Sequence, residues 1–200
     1  RLEHTQGWDT LGMRGTCSDG YHVHAGGEIG QIIPRPYAEV SALTMLPTSH
    51  LTWSAVWLGI ATDAVNRARA YLRGEARKKP GASLPGLARL AEATALLNQM
   101  KSNIVAALRL YEPGMVDEDR ISSPHFAVAM NNLKVTSSRL VVQVVNEAML
   151  AAGLAGYRND SPYSLGRHLR DAHSAALMVN NDRILGNTAN LLMALRDQPE

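Results

Sequence analysis

From about residue 48 onward, apolar residues return every three or four positions in four stretches of about 25 to 30 residues, divided by Gly- and Pro-containing breaks. That is a helical period, and helices of such length with short connections bury their stripes by lying antiparallel. The first stretch opens at "TSHLTW", where Thr48 or Ser49 supplies an N-cap, and runs to Pro80-Gly81. Trp57, Ala61, Ala64, Ala68 and Leu72 share one face of it. The second begins near "SLPG" (83–86), with the stripe Leu87, Leu90, Thr94, Leu97, Ile104, Leu108 and Tyr111. "EPGMVDEDR" (112–120) reads as a loop. The third, roughly 123–152, is apolar nearly all round in "LVVQVV" and should be the most buried. The fourth runs from about Ser164 to Leu195. The expected fold is mainly α, an antiparallel four-helix bundle over 47–200.

The first 46 residues follow another rule. "GYHVHA" alternates, with Tyr21 and Val23 on one face and His22 and His24 on the other, as a half-buried strand does. "QIIPRPYAEV" holds two prolines, which suits an edge strand or an exit segment. Two or three strands cannot cover both faces of their own sheet. Residues 1–46 are therefore expected to be the tail of a truncated β-domain. The first residue is Arg1 rather than Met, which predicts that the chain begins within a longer protein.

Charge and cysteine content narrow the function classes. A net charge of +2 with scattered Lys and Arg gives no phosphate-tracking groove, so nucleic acid is not an expected partner. The one basic cluster, "RGEARKK" (73–79), is read as a solvated helix end or a phosphate contact. Cys17 is the only cysteine, which excludes an internal disulfide and fits a reducing, cytoplasmic compartment. No apolar run reaches the ~18 residues of a membrane span. His22 and His24 lack a third ligand nearby, so no metal site is expected.

Two segments carry a family resemblance. "WDTLGMRGTCSD" resembles the segment closing the middle β-domain of acyl-CoA dehydrogenases, and "GLAGYRNDSPYSLGRHLRDAHSAAL" (153–177) resembles their "GGxGY … RDA" stretch before the final helix. The order of strands, long helices and Arg-Asp is similar to the carboxy-terminal half of that family over essentially all 200 residues. The resemblance implies a flavoprotein holding FAD, with FMN as the alternative, assembled as a homo-oligomer, dimer or tetramer. It implies α,β-dehydrogenation of an acyl thioester, in which a carboxylate takes the α-proton and the flavin accepts the hydride.

The family's glutamate base is missing from both of its usual positions, which fall at Val179 and near Ser49. The nearest substitutes are His50, whose pKa suits proton transfer, and Asp182, three residues beyond Val179. For the flavin, the resemblance points to Arg77 on a neighbouring subunit's pyrophosphate, Gly153 at the dinucleotide, and Asn181 and Arg183 toward the adenine half. Leu150 stands where the family has a glutamine. Arg170 and Asp171 read as an ion pair fixing the last helix.

Three functions are compatible with that inventory. One is a flavin-dependent acyl-thioester dehydrogenase whose base is moved or is supplied by a part of the protein outside these 200 residues. A second is a flavin-dependent monooxygenase of the same fold, which needs no carboxylate base, takes reduced flavin from a reductase partner and uses the apolar "AALMV" (175–179) to exclude water. The third is a catalytically silent subunit paired with an active homologue.

Overall fold

The computed structural model describes residues 1–114 and 117–195. Strand β1 (Leu2–Gln6) pairs antiparallel with β2 (Gly20–Val23), placing Leu2 opposite Val23 and His4 opposite Tyr21. The alternation read in "GYHVHA" is therefore a real strand. Both faces of the ribbon are open: all five residues of β1 and residues 21–23 of β2 are exposed.

After β2 the expected strand or exit segment "QIIPRPYAEV" is instead a 3-10 turn (Ile29–Gln31) followed by helix α1 (Tyr37–Val40). Pro36, at the N-cap, starts that helix with a fixed φ and no N–H to satisfy. A π-turn (Ser41–Met45) carries α1 straight into α2 (Leu46–Lys78). Helix thus begins at Tyr37, not at Thr48 or Ser49. Of the two expected caps, Ser49 bonds backward within the helix, its Oγ donating to the Leu46 carbonyl (3.0 Å), and Thr48 offers its carbonyl to Thr52 Oγ1 (2.8 Å).

Helix α3 (Gly86–Gly114) leads through α4 (Glu118–Ile121) to α5 (Pro124–Ala152). The segment expected as a loop at 112–120 is thus helical at both ends, and Met115 and Val116 lie outside the described residues. Ser123 caps α5 by accepting from the Phe126 N–H (3.2 Å), and Pro124 fills its first turn. After Gly153 come α6 (Leu154–Tyr157), α7 (Gly166–His173) and α8 (Asn181–Ala194).

The long helices run alternately up and down. His50 of α2 meets Met130 early in α5, while Leu72 and Ala151 meet at Gly86 near their far ends, so α2 and α5 run together with α3 returning between them. The expected α2 stripe is the observed one: Trp57, Ala61, Ala64, Ala68 and Leu72 are all buried. Helix α5 is the central element, with Val141, Val144, Val145 and Ala148 fully enclosed. In α3 the enclosed residues are Ala93, Met100, Ile104 and Ala107, whereas Leu87 and Leu108 stay exposed.

Candidate functional site

The expected fourth helix is broken where the resemblance placed the base. Helix α7 ends at His173, a 3-10 turn covers Ser174–Ala176, and Val179 takes a left-handed φ of 48° before α8 begins. Lys134, in the middle of α5 and 1% exposed, sits behind the break. Its ammonium donates to the carbonyl oxygens of Ala175 (3.1 Å) and Val179 (2.6 Å) and to Asn181 Oδ1 (2.8 Å). The Trp57 ring lies 5.7 Å away. Burial pushes the Lys134 ammonium down to about 8, while its three oxygen acceptors favour the charged form. Those carbonyls are freed by ending the helix, and the cation that takes them up fixes the turn. Asn180 then caps α8, its Oδ1 accepting from the Asp182 N–H (2.7 Å).

The turn faces a cavity of about 480 Å³ closed on its other side by the segment after β1. Trp8, Leu11, Met13, Leu177 and Met178 supply apolar walls, and Arg170, His173 and Ser174 are its polar members on the α7 side. Two contacts hold the segment in place. Met13 N–H donates to Asp171 Oδ1 (2.7 Å), and Gly12 lies so close to the Arg170 carbonyl that any Cβ there would overlap it. Asp171 thus pairs with a backbone amide 158 residues away. The expected Arg170–Asp171 ion pair is absent among the described residues: adjacent side chains on a helix do not face each other, and Asp171 turns to the Met13 amide. The lining is mainly apolar, and its volume falls within the 300–1,000 Å³ usual for ligand sites, which suits an apolar group held beside a flavin ring.

The sequence-expected site residues are not gathered here. His50 is buried against α5, its Nδ1 3.1 Å from the Met130 carbonyl, and desolvation lowers its pKa. Asp182 and Arg183 are exposed in the first turn of α8. Asn181 is buried, accepting from Lys134 and donating through Nδ2 to Ser138 Oγ (3.0 Å), so both ends of its amide are used inside the protein. Arg77 is exposed near the far end of α2. Gly153, with φ 56°, ends α5 and borders a 200 Å³ cleft with Glu75. Along α2 alone, His50 and Arg77 are separated by roughly 40 Å at 1.5 Å per residue, so they cannot serve one reacting centre within a chain. Sequence reasoning missed Lys134, whose one signal was a charge four residues from Met130 and one from Leu133 in the most apolar helix.

Among the described residues, no group of three His, Cys, Asp or Glu side chains could hold a metal, and no helix is long and apolar enough to cross a membrane.

A mainly helical bundle behind a two-stranded ribbon, with its apolar cavity at a broken last helix, defines the class. Residues 40–185 match the sequence model of the acyl-CoA dehydrogenase C-terminal domain, and the chain belongs to that family. Among solved structures it is similar to the nitrososynthase of Micromonospora carbonacea var. africana, at 20% identity and a TM-score of 0.80 over 97% of this chain and 52% of that one. It is also similar to the FMN-bound dibenzothiophene monooxygenase of Paenibacillus sp. A11-2 (19%, 0.73, 96% and 52%). Butyryl-CoA dehydrogenase from Megasphaera elsdenii is a third likeness (22%, 0.67, 96% and 49%). At these identities the likeness shows the fold, and the chain spans about half the length of each structure. No curated protein matches the sequence.

Proposed function

We propose that this chain forms the carboxy-terminal part of a flavin-dependent oxidoreductase, and that its cavity serves oxygen-dependent monooxygenation rather than α,β-dehydrogenation of an acyl thioester. One observation carries the choice. Among the described residues the cavity lining holds no carboxylate, and both substitutes, His50 and Asp182, lie outside it. Dehydrogenation of a thioester needs a base at the α-carbon; a monooxygenase needs a space from which water is excluded, and Trp8, Leu11, Leu177 and Met178 supply apolar walls for one. The bound flavin, FAD or FMN, supplies the redox chemistry. The protein's share is to wall off that ring, with Lys134 holding the turn that carries Leu177 and Met178. The FMN bound to the dibenzothiophene monooxygenase supports a flavin in a fold of this kind.

Arg77, Gly153 and Arg183 are proposed as flavin contacts, Arg77 and Gly153 acting on a neighbouring subunit's cofactor. Their exposure and their distance from the cavity suit that role better than one within the chain. A homodimer or homotetramer would also cover the exposed Val56, Leu87 and Met193.

The test uses the flavin-loaded protein in two experiments. Under anaerobic conditions, short, long and branched acyl-CoA thioesters should leave the flavin absorbance unchanged. With a reductase and oxygen, consumption of an organic substrate should accompany flavin reoxidation. Anaerobic bleaching by any thioester overturns the monooxygenase reading and returns the search to a base.

A further inference from the structure

Beside the apolar cavity lies a second one of about 570 Å³, and the two share Met13, Thr16 and Arg170. Its chemistry is different. Arg14, Arg167 and Arg170 line it, the first from the 3-10 turn Arg14–Thr16 and the others from α7. Among the described residues none of the three forms a salt bridge or donates a side-chain hydrogen bond.

The two carboxylates in the lining do not neutralise all three: Asp63 is committed to Arg67 and His168, and Asp171 offsets one guanidinium charge at most. Asp171 accepts from the Met13 N–H. Asp63 Oδ2 accepts from Arg67 Nε (2.7 Å) and lies 2.7 Å from Nε2 of His168, which is 7% exposed. The Arg67 guanidinium and the His168 ring hold the Asp63 carboxyl below its ordinary range, so it is ionised, and the His168 Nε2 carries the proton of that bond. Three arginines lining one cavity give it a positive potential that favours an anion. Their planar forks match the oxygens of a phosphate.

We propose that this cavity binds the phosphate group of an amphipathic substrate whose apolar part occupies the adjoining 480 Å³ cavity. The inference deepens the functional reading above, since it names the substrate class of that site as an aromatic or aliphatic phosphate ester. Arg170, common to both linings, stands at the junction between the phosphate and the apolar body.

Binding calorimetry at low salt tests the proposal without flavin reduction or oxygen, so its failure is separate from any failure of the monooxygenase reading. The probes are inorganic phosphate, phenol and phenyl phosphate, added to the flavin-loaded protein. Phenyl phosphate should bind once per chain and at least tenfold more tightly than either half alone. Arg14→Gln and Arg167→Gln should each weaken it roughly tenfold, the scale of one lost charge-assisted bond, while Arg69→Gln, outside the cavity, leaves it unchanged. No binding of phenyl phosphate, or native affinity in both cavity variants, overturns the proposal. A flavin-free sample separates the two sources of a phosphate. If phenyl phosphate binds only there and is displaced by FMN but not by riboflavin, the phosphate is the cofactor's and the substrate assignment fails. Equal binding with and without flavin supports the substrate.

Discussion

The Lys134 ammonium lies 2.8 Å from Asn181 Oδ1, and this bond ties the middle of the most buried helix to the first residue of the last one. Around it a run that would otherwise continue as helix is divided in two. The turn so formed carries Leu177 and Met178 into the apolar cavity. Packing in the core thereby sets the shape of the candidate site, because the cation that ends α7 is itself enclosed by α2 and α5.

Lys134→Met keeps most of the side-chain stem and removes the charge. Three oxygens, on Ala175, Val179 and Asn181, then lose a donor. At about 1–3 kcal/mol for each buried acceptor left unmade, partly relieved by water at the exposed turn, the expected loss is about 3 kcal/mol of unfolding free energy. Urea denaturation measures it. Amide exchange at 174–181 should accelerate more than elsewhere, and a uniform change across the chain would argue against a latch confined to the turn.

His50 separates a structural from a chemical role through pH. Desolvation lowers its folded pKa below the value of about 6.5 in the unfolded chain. Below pH 6.5 the unfolded chain binds a proton that the folded one refuses, so stability falls as pH falls through that window. The unfolding free energy of the native protein relative to His50→Gln should therefore drop between pH 7.5 and pH 5. A difference that stays flat would mean the imidazole titrates freely and would reopen its candidacy as a base.

Much of the helical architecture was legible because burial on one face leaves a period. Trp57, Ala61, Ala64, Ala68 and Leu72 were placed correctly on that basis, as was the central position of α5. The break at 174–180 was not legible: "AALMV" continues an apolar helical run, and what ends it is a cation 41 residues earlier in the chain than Ala175. Asp171 shows the same limit. Its neighbour in sequence, Arg170, looked like its partner, whereas its actual partner is the Met13 amide. Local pattern reports which face of an element is buried; it says little about which distant polar group an element's end must satisfy.

Gly12→Ala tests how the amino-terminal segment is docked. A Cβ at that position overlaps the Arg170 carbonyl, and backbone on both sides leaves little room to yield. The segment must lift, at a cost of about 1–3 kcal/mol. Trp8, whose Nε1 donates to the Met13 carbonyl (3.0 Å) and whose ring lines the apolar cavity, should become more solvent-exposed and shift its emission to the red. Unchanged emission and unchanged protease resistance at 8–18 would show that the segment is held by other contacts.

Val179 provides the opposite case, a substitution expected to stabilise. A β-branched residue at φ 48° is strained, since its side chain crowds the backbone where glycine has nothing to crowd. The side chain is half exposed, so replacing it removes little packing, and the carbonyl that Lys134 binds belongs to the backbone and survives. Relief of the strain, about 1–3 kcal/mol, is offset by the extra freedom glycine gains in the unfolded chain, about 0.4–1 kcal/mol. Val179→Gly should therefore raise unfolding free energy by about 1 kcal/mol, with a higher Tm. In Lys134→Met the same change should help less, because the turn that imposes the left-handed conformation is no longer enforced. Equal gains in both backgrounds would mean that the conformation of Val179 is set by the neighbouring α8 cap at Asn180 and not by the buried ammonium.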